Sequence, residues 1–286
     1  MQLSTIGNII IGTLKIVADA EFDCLGLLAT HADGKMLSFI EKEEYLPSLN
    51  NNPTITCIIS NESLVEQIKC KNIGIAISSM PRVDFFQLHH YLLNSTDFYY
   101  RRYPSKISKN SSIHPSVYIA AENVEIGNNC IIEQNVVIKQ NVHIGNNVYI
   151  GAGTIIGGDG FECFRNDNQI INVQHAGGVV IKDNVSIHEN VCIDKGLFRN
   201  NTIIKEYCSI DNFVHVAHNV IIGERTRIAA NAVISGRTVV GNDVWIGPSV
   251  TISNGIEIGD NSSLTMGSII TKSVPSGKTV MWKMAF

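Results

Sequence analysis

The chain has 286 residues, 44% of them hydrophobic and 17% charged, and its 22 Lys and Arg against 26 Asp and Glu leave a net charge of -4. That composition excludes a disordered polymer, and basic residues cluster no further than Arg101-Arg102, which argues against nucleic acid or an anionic membrane as a partner. The start MQLSTIGNIIIGTLKIVADAEF lacks the basic opening and small-residue cleavage site of a signal peptide, and no apolar run approaches roughly 18 residues, so a soluble cytoplasmic protein without a membrane span is expected.

Before residue 107 short apolar runs alternate with amphipathic ones: MLSFI, EKEEYLPSL, TITCIIS, NESLVEQI, NIGIAIS and PRVDFFQLHHYLL. This pattern predicts a small α/β domain over residues 1–106. Asn61 is placed to cap the helix it precedes, and Ser79 followed by Pro81 marks the start of the next one. The polar stretch FYYRRYPSKISKNSSIHPS connects this domain to the larger C-terminal part of the chain. Seven cysteines (24, 57, 70, 130, 163, 192 and 208) form an odd set with no CxxC pair, so most are expected to be small buried hydrophobes rather than a disulfide framework or zinc site.

From residue 107 to 275 the period is six. A branched aliphatic recurs at Ile204, Ile210, Val216, Ile222 and onward in phase to Leu264 and Ile270; Ile126 to Ile156 and Ile181 to Ile193 show the same spacing. Neither a 3.6-residue helix nor a simple hairpin sustains that period, whereas a triangular coil of three short strands does, with the aliphatic inward and the small residue after it easing each corner. Two interruptions stand out. GGDGFECFRNDNQIINVQHAGGVV, between Ile156 and Ile181, reads as an excursion loop. Ile193 and Ile204 are 11 apart rather than 12, which reads as a one-residue deletion at a corner. Residues 276–286 form a short C-terminal tail.

Within DNFVHVAHNVIIG (residues 211–223) His218 falls past the corner alanine and is predicted to project from a prism edge; His215, before Val216, points outward from a face. The motifs GGDGFE, QHAGGVVIKDNVSIHENVCIDKG, IDNFVHVAHNVIIG, IHPS and SFIEKEEY together resemble the LpxD-like hexapeptide acyltransferases, which N-acylate nucleotide-activated amino sugars. The resemblance covers almost the whole chain and implies a mainly β fold, a left-handed parallel β-helix preceded by an α/β nucleotide-binding domain. It makes His218 the general base and places Phe39 and Tyr45 on the two faces of a uracil ring. His215, Asp159 and His175 are further candidates for the same cleft, and Gly236, one 18-residue turn after His218, is a candidate oxyanion donor. A homotrimer is implied as well.

The chain departs from the lipid A enzymes of that family at two points. Ile256 follows Gly255 where those enzymes carry a second histidine, and only SGKTVMWKMAF follows the last coil. These departures favour a short acyl or hydroxyacyl group moved from acyl-CoA, as co-substrate, to the amine of a dTDP- or UDP-linked amino deoxysugar, with no bound cofactor or metal. The alternative is the UDP-3-O-acylglucosamine N-acyltransferase of lipid A biosynthesis, fed by hydroxyacyl carrier protein. Two rivals from other classes are a zinc hydrase built on His188, His215 and His218, and a non-catalytic solenoid. The 27 residues between His188 and His215 are not a whole number of 18-residue turns, which weighs against the first.

Overall fold

The computed structural model describes residues 1–10, 14–30, 32–68 and 72–281, in two compact units. Met1–Arg101 with Phe161–Gln174 form one, and Arg102–Gly160 with His175–Phe286 the other. The expected division near 106 is close to the observed one at 101, but the tip of the excursion groups with the first unit. Among the described residues no helix is long and apolar enough to cross a membrane.

In the N-terminal unit the predicted alternation is present: β1 (Lys15–Ala18), β2 (Cys24–Leu25), β3 (Met36–Ile40), α1 (Leu46–Asn51), β4 (Ile55–Ser60), α2 (Val65–Ile68), β5 (Gly74–Ile77) and α3 (Pro81–Ser95). The strand order is β1-β5-β4-β3-β2, with β1 antiparallel and the others parallel. Apolar residues of β3 and β4 are buried almost continuously, as a sheet covered on both faces requires. The Asn61 side chain makes no cap; its Nδ2 donates instead to the carbonyl of Glu41, 2.8 Å away. Helix α3 does start at Pro81, but Ser78 rather than Ser79 supports it, its Oγ accepting from the Met80 N–H at 2.8 Å. The excursion adds an antiparallel hairpin, Cys163–Asn166 with Gln169–Asn172, and Phe164 stacks on Phe86 at 5.3 Å.

The C-terminal unit is a coil of three parallel sheets of eight, nine and eight strands. We number its faces in chain order from Val124–Ile126 (first), Ile131–Ile132 (second) and Val137–Ile138 (third). Each rung bonds to the one a turn later, as in Gly127 N–H to Ile144 carbonyl at 2.9 Å. The inward aliphatics, and those two places before them, merge into one buried column from Val124 to Val274. Thr279–Val280 still pairs with Ser263–Leu264, so the coil reaches beyond residue 275.

The corners work differently from the expectation. The turn is made three residues after the inward aliphatic, where φ is positive: 58° at Asn135, 60° at Asn219, 59° at Asn231. Asparagine is common there because it tolerates the left-handed region at low cost. The small residue after the aliphatic instead permits close stacking: a Cβ on Gly127 would sit 2.5 Å from the Gly145 carbonyl oxygen.

The 11-residue spacing is also corrected. Ile193 and Ile204 lie on consecutive sides of the prism, and Ile181 pairs with Ile204, 23 residues on, where a regular turn takes 18 (Ile204 with Ile222). The segment 195–201 therefore carries a five-residue insertion, not a deletion, and it buries Leu197 and Phe198. Both interruptions leave the coil at the corner between third and first faces.

Four of the six described free cysteines (24, 57, 130 and 208) are buried, as expected; Cys163 is half-buried and Cys192 exposed, and Cys70 lies outside the described residues. Burial pushes the Cys57 thiol up to about 11 and the Cys208 thiol up to about 12.

Candidate active site

The corner between third and first faces carries, one turn above another, the long excursion after Gly158, the short one after Asp194, His218 and Gly236. His218 leaves the prism edge as predicted, but its side chain is not free in solvent; it is 9% exposed. Its ring is packed between two glycines. A Cβ on Gly160 would lie 2.9 Å from His218 Cδ2, and one on Gly236 2.6 Å from His218 Nε2. The buried His175 ring meets it edge-on at 5.2 Å.

One contact determines what His218 can do. Its Nδ1 is 3.0 Å from Asn219 Oδ1, and that same oxygen accepts the Leu197 N–H at 3.0 Å. A backbone N–H can only donate, so the oxygen of the amide faces both partners, and His218 Nδ1 carries the proton. In the neutral ring that tautomer leaves the lone pair on Nε2, on the Gly236 side. Asn219 is held in turn by its φ of 60° and by its N–H to Thr202 Oγ1 at 2.9 Å.

A polar row continues from this ring. Asp159 Oδ1 accepts the His175 N–H at 3.1 Å and pairs with Lys195 Nζ at 3.2 Å. Burial pushes the Asp159 carboxyl up, but the Lys195 charge and hydrogen bond, with the His175 N–H, bring it net below its ordinary value. Asp194 Oδ2 lies 3.6 Å from His215 Nε2. Burial raises the Asp194 carboxyl above the ordinary range, against the opposing pull of His215 and His218.

Of the residues singled out in the sequence, His218, His215, His175, Asp159 and Gly236 thus meet on one edge of the coil. Phe39 and Tyr45 belong to the N-terminal unit. Phe39 is half-buried, its ring 5.0 Å from Phe85 and 5.9 Å from Phe86 with the Arg82 guanidinium 5.6 Å from its centroid; Tyr45, just before α1, is 42% exposed. His188 packs on Tyr149 at 6.1 Å, at the corner between second and third faces, away from the His218 corner. Sequence reasoning missed Asn219, Asp194 and Lys195. For two of them a signal was present: Asp194 stands where the repeat calls for a small residue, and with Lys195 it opens the interrupted spacing.

Residues 123–158, 201–236 and 237–272 match the family of bacterial transferase hexapeptide repeats. The chain belongs to the hexapeptide-repeat family. Within it, the chain is 33% identical to UDP-3-O-acylglucosamine N-acyltransferase of Fusobacterium nucleatum, over 69% of this chain and 64% of that protein. It is 45% identical over 69 residues to UDP-3-O-acylglucosamine N-acyltransferase 2 of Legionella pneumophila (strain Philadelphia 1), 24% of this chain and 20% of that one. This hexapeptide-repeat chain therefore spans less than two thirds of the length of these curated relatives. Among solved structures, UDP-N-acetylglucosamine acyltransferase from Campylobacter jejuni aligns with a TM-score of 0.50 at 20% identity, covering 59% of this chain and 66% of that one. The hexapeptide-repeat unit accordingly has the left-handed parallel β-helix fold that the sequence resemblance implied.

Proposed function

We propose that the protein is an N-acyltransferase that moves an acyl group from a thioester to the amine of a UDP-linked, acylated glucosamine. The observation that carries this reading is the His218–Asn219–Leu197 arrangement, which engages Nδ1 and leaves Nε2 turned toward Gly236. The names of the relatives favour this acceptor over the amino deoxysugar expected first. The amine nitrogen attacks the thioester carbonyl carbon while Nε2 takes the amine proton; the tetrahedral intermediate collapses, the C–S bond breaks, and the imidazolium returns the proton to the departing thiolate. The Gly236 N–H is the oxyanion donor in this scheme. Phe39 and Tyr45 take the uracil ring, and Asp159 and His175 the sugar.

A homotrimer is part of the proposal. It is supported by the outward row of the third face, from Tyr118 through Ile155 and Val233 to Ile269, which holds no Lys, Arg, Asp or Glu although Tyr118 is 60% and Ile269 61% exposed. The acyl-CoA-dependent transfer to a dTDP- or UDP-linked amino deoxysugar stays as a second reading, because Ile256 stands where the lipid A enzymes of the resemblance carry a second histidine.

Mass spectrometry of product separates the two. Purified protein is offered UDP-3-O-acylglucosamine and UDP- and dTDP-amino deoxysugars, each with acyl-CoA and with acyl carrier protein thioesters. Acylated UDP-glucosamine product with the wild type and at least a roughly thousandfold loss in His218→Ala is expected. Acylation confined to the deoxysugars selects the second reading, and unchanged turnover in His218→Ala rejects the base.

A further inference from the structure

Below His218 on the same prism edge, the first coils leave a groove of about 460 Å³. Tyr118, Ala120 and Ala121 line one part of it; Lys139, Gln140 and Lys195 line another. Two ammonium groups therefore share a groove on a chain whose net charge is -4. Their situations differ. Lys195, 17% exposed at its side chain, is fixed by Asp159, whereas among the described residues Lys139 forms no ion pair. The carboxylate in the wall, Glu122, is already engaged by Gln140 Nε2 at 3.1 Å and by Arg102 at 4.0 Å. Asp194 lies within the field of Lys139 but is itself mostly buried and faces His215. The groove thus presents amine and amide donors in excess of its free acceptors.

The groove is also coupled to the reacting edge by short contacts. Lys195 pairs with Asp159, Asp159 accepts the His175 N–H, and the His175 ring lies against His218. We infer that this groove binds a phosphate or diphosphate ester, with Lys139 as the principal charge on it and Lys195 and Gln140 beside it. An ammonium on a flexible stem suits a phosphate oxygen as a point charge, and the exposed Tyr118 ring offers an apolar wall to the ester's organic part. The identity of the ester rests on the proposed acyl transfer. Both substrates of such a transfer carry this chemistry, the acceptor as a nucleoside diphosphate and the donor as a phosphopantetheine thioester.

Isothermal titration of the full chain with UDP, uridine and coenzyme A tests the inference and separates the two sources. Lys139→Ala is expected to weaken binding of UDP or of coenzyme A roughly tenfold, with uridine binding unchanged. Loss confined to UDP assigns the groove to the acceptor's diphosphate, and loss confined to coenzyme A to the donor. If Lys139→Ala unfolds, Lys139→Gln keeps the length of the side chain and loses only its charge. Wild-type affinity of a folded variant for both ligands, or no binding of either by the wild type, overturns the inference. Failure of acyl transfer with a Lys139-dependent phosphate site intact would instead overturn the proposed acyl transfer and leave the phosphate site standing.

Discussion

At the residue scale, the proposed role of His218 depends on its neighbours. Gly236→Ala adds a Cβ 2.6 Å from Nε2, so the imidazole must move. A displacement of that size is expected to lower kcat about a hundredfold while leaving the unfolding midpoint nearly unchanged, which turnover and chemical denaturation read separately. Asp159 and Asp194 give opposite pH slopes from one edge of the coil. Asp159 is net lowered, so its stabilising share is present above the ordinary carboxylate range and is lost as pH falls through its folded-state value. Asp194 is raised, chiefly by burial; the native state holds its proton longer than the unfolded chain, and stability falls as pH rises from about 4 through the folded-state value. Denaturant titrations across the acid range are therefore expected to show a flatter decline on the upper side for Asp194→Asn, and a smaller loss on the acid side for Asp159→Asn. The hexad placed His218 at a prism edge, and the family resemblance made it the candidate base. Neither pointed to Asn219 as its partner, because the N–H that fixes the Asn219 amide comes from Leu197, in an insertion one turn earlier.

At the element scale, the corner chemistry is a stability lever. Tyr207 and Phe213 hold φ of 61° and 59° at corner positions that asparagine fills elsewhere, and their side chains are 60% and 59% exposed. Tyr207→Asn and Phe213→Asn are each expected to stabilise the coil by about 0.5–1 kcal/mol, read as a higher denaturation midpoint. Asn141→Val, at a φ of 63°, is expected to cost about 1–2 kcal/mol, the penalty of a β-branched residue in that region. The six-residue phase could be read in the sequence because each inward position of the regular coils is filled by a branched aliphatic side chain. The excursions could not be read as fully. A count of 11 residues looks like a defective pair of sides until the register shows a single side with five residues added. Residues 161–174 group with the N-terminal unit through contacts such as Phe164 stacked on Phe86 and Gln174 bonded to Asn94, which no local pattern announces.

At the scale of the whole molecule, the proposed trimer places its subunit contact on the third face. Ile155 and Ile269 stand in its outward row, 38% and 61% exposed. A lysine at either place adds a charge that must be desolvated at any subunit contact without disturbing the inward column. Ile155→Lys and Ile269→Lys are expected to shift sedimentation toward the monomer while the circular dichroism of the coil persists; a trimer of unchanged strength in both would reject this face as the contact.

The threefold coil also sets a rule for inheritance. Inserting six residues after Ile222 would keep every later aliphatic in the core, so the protein would fold, yet it would advance all later strands by one side and carry Gly236 a third of the way around the prism from His218. Inserting eighteen would restore every side but leave a new turn between His218 and Gly236. The length changes this lineage can survive are thus of two kinds. The core accepts multiples of six, but the edge proposed to carry the reaction accepts only additions outside the stretch from Gly158 to Gly236, or loops that leave the corner and return to it, as both of its existing insertions do.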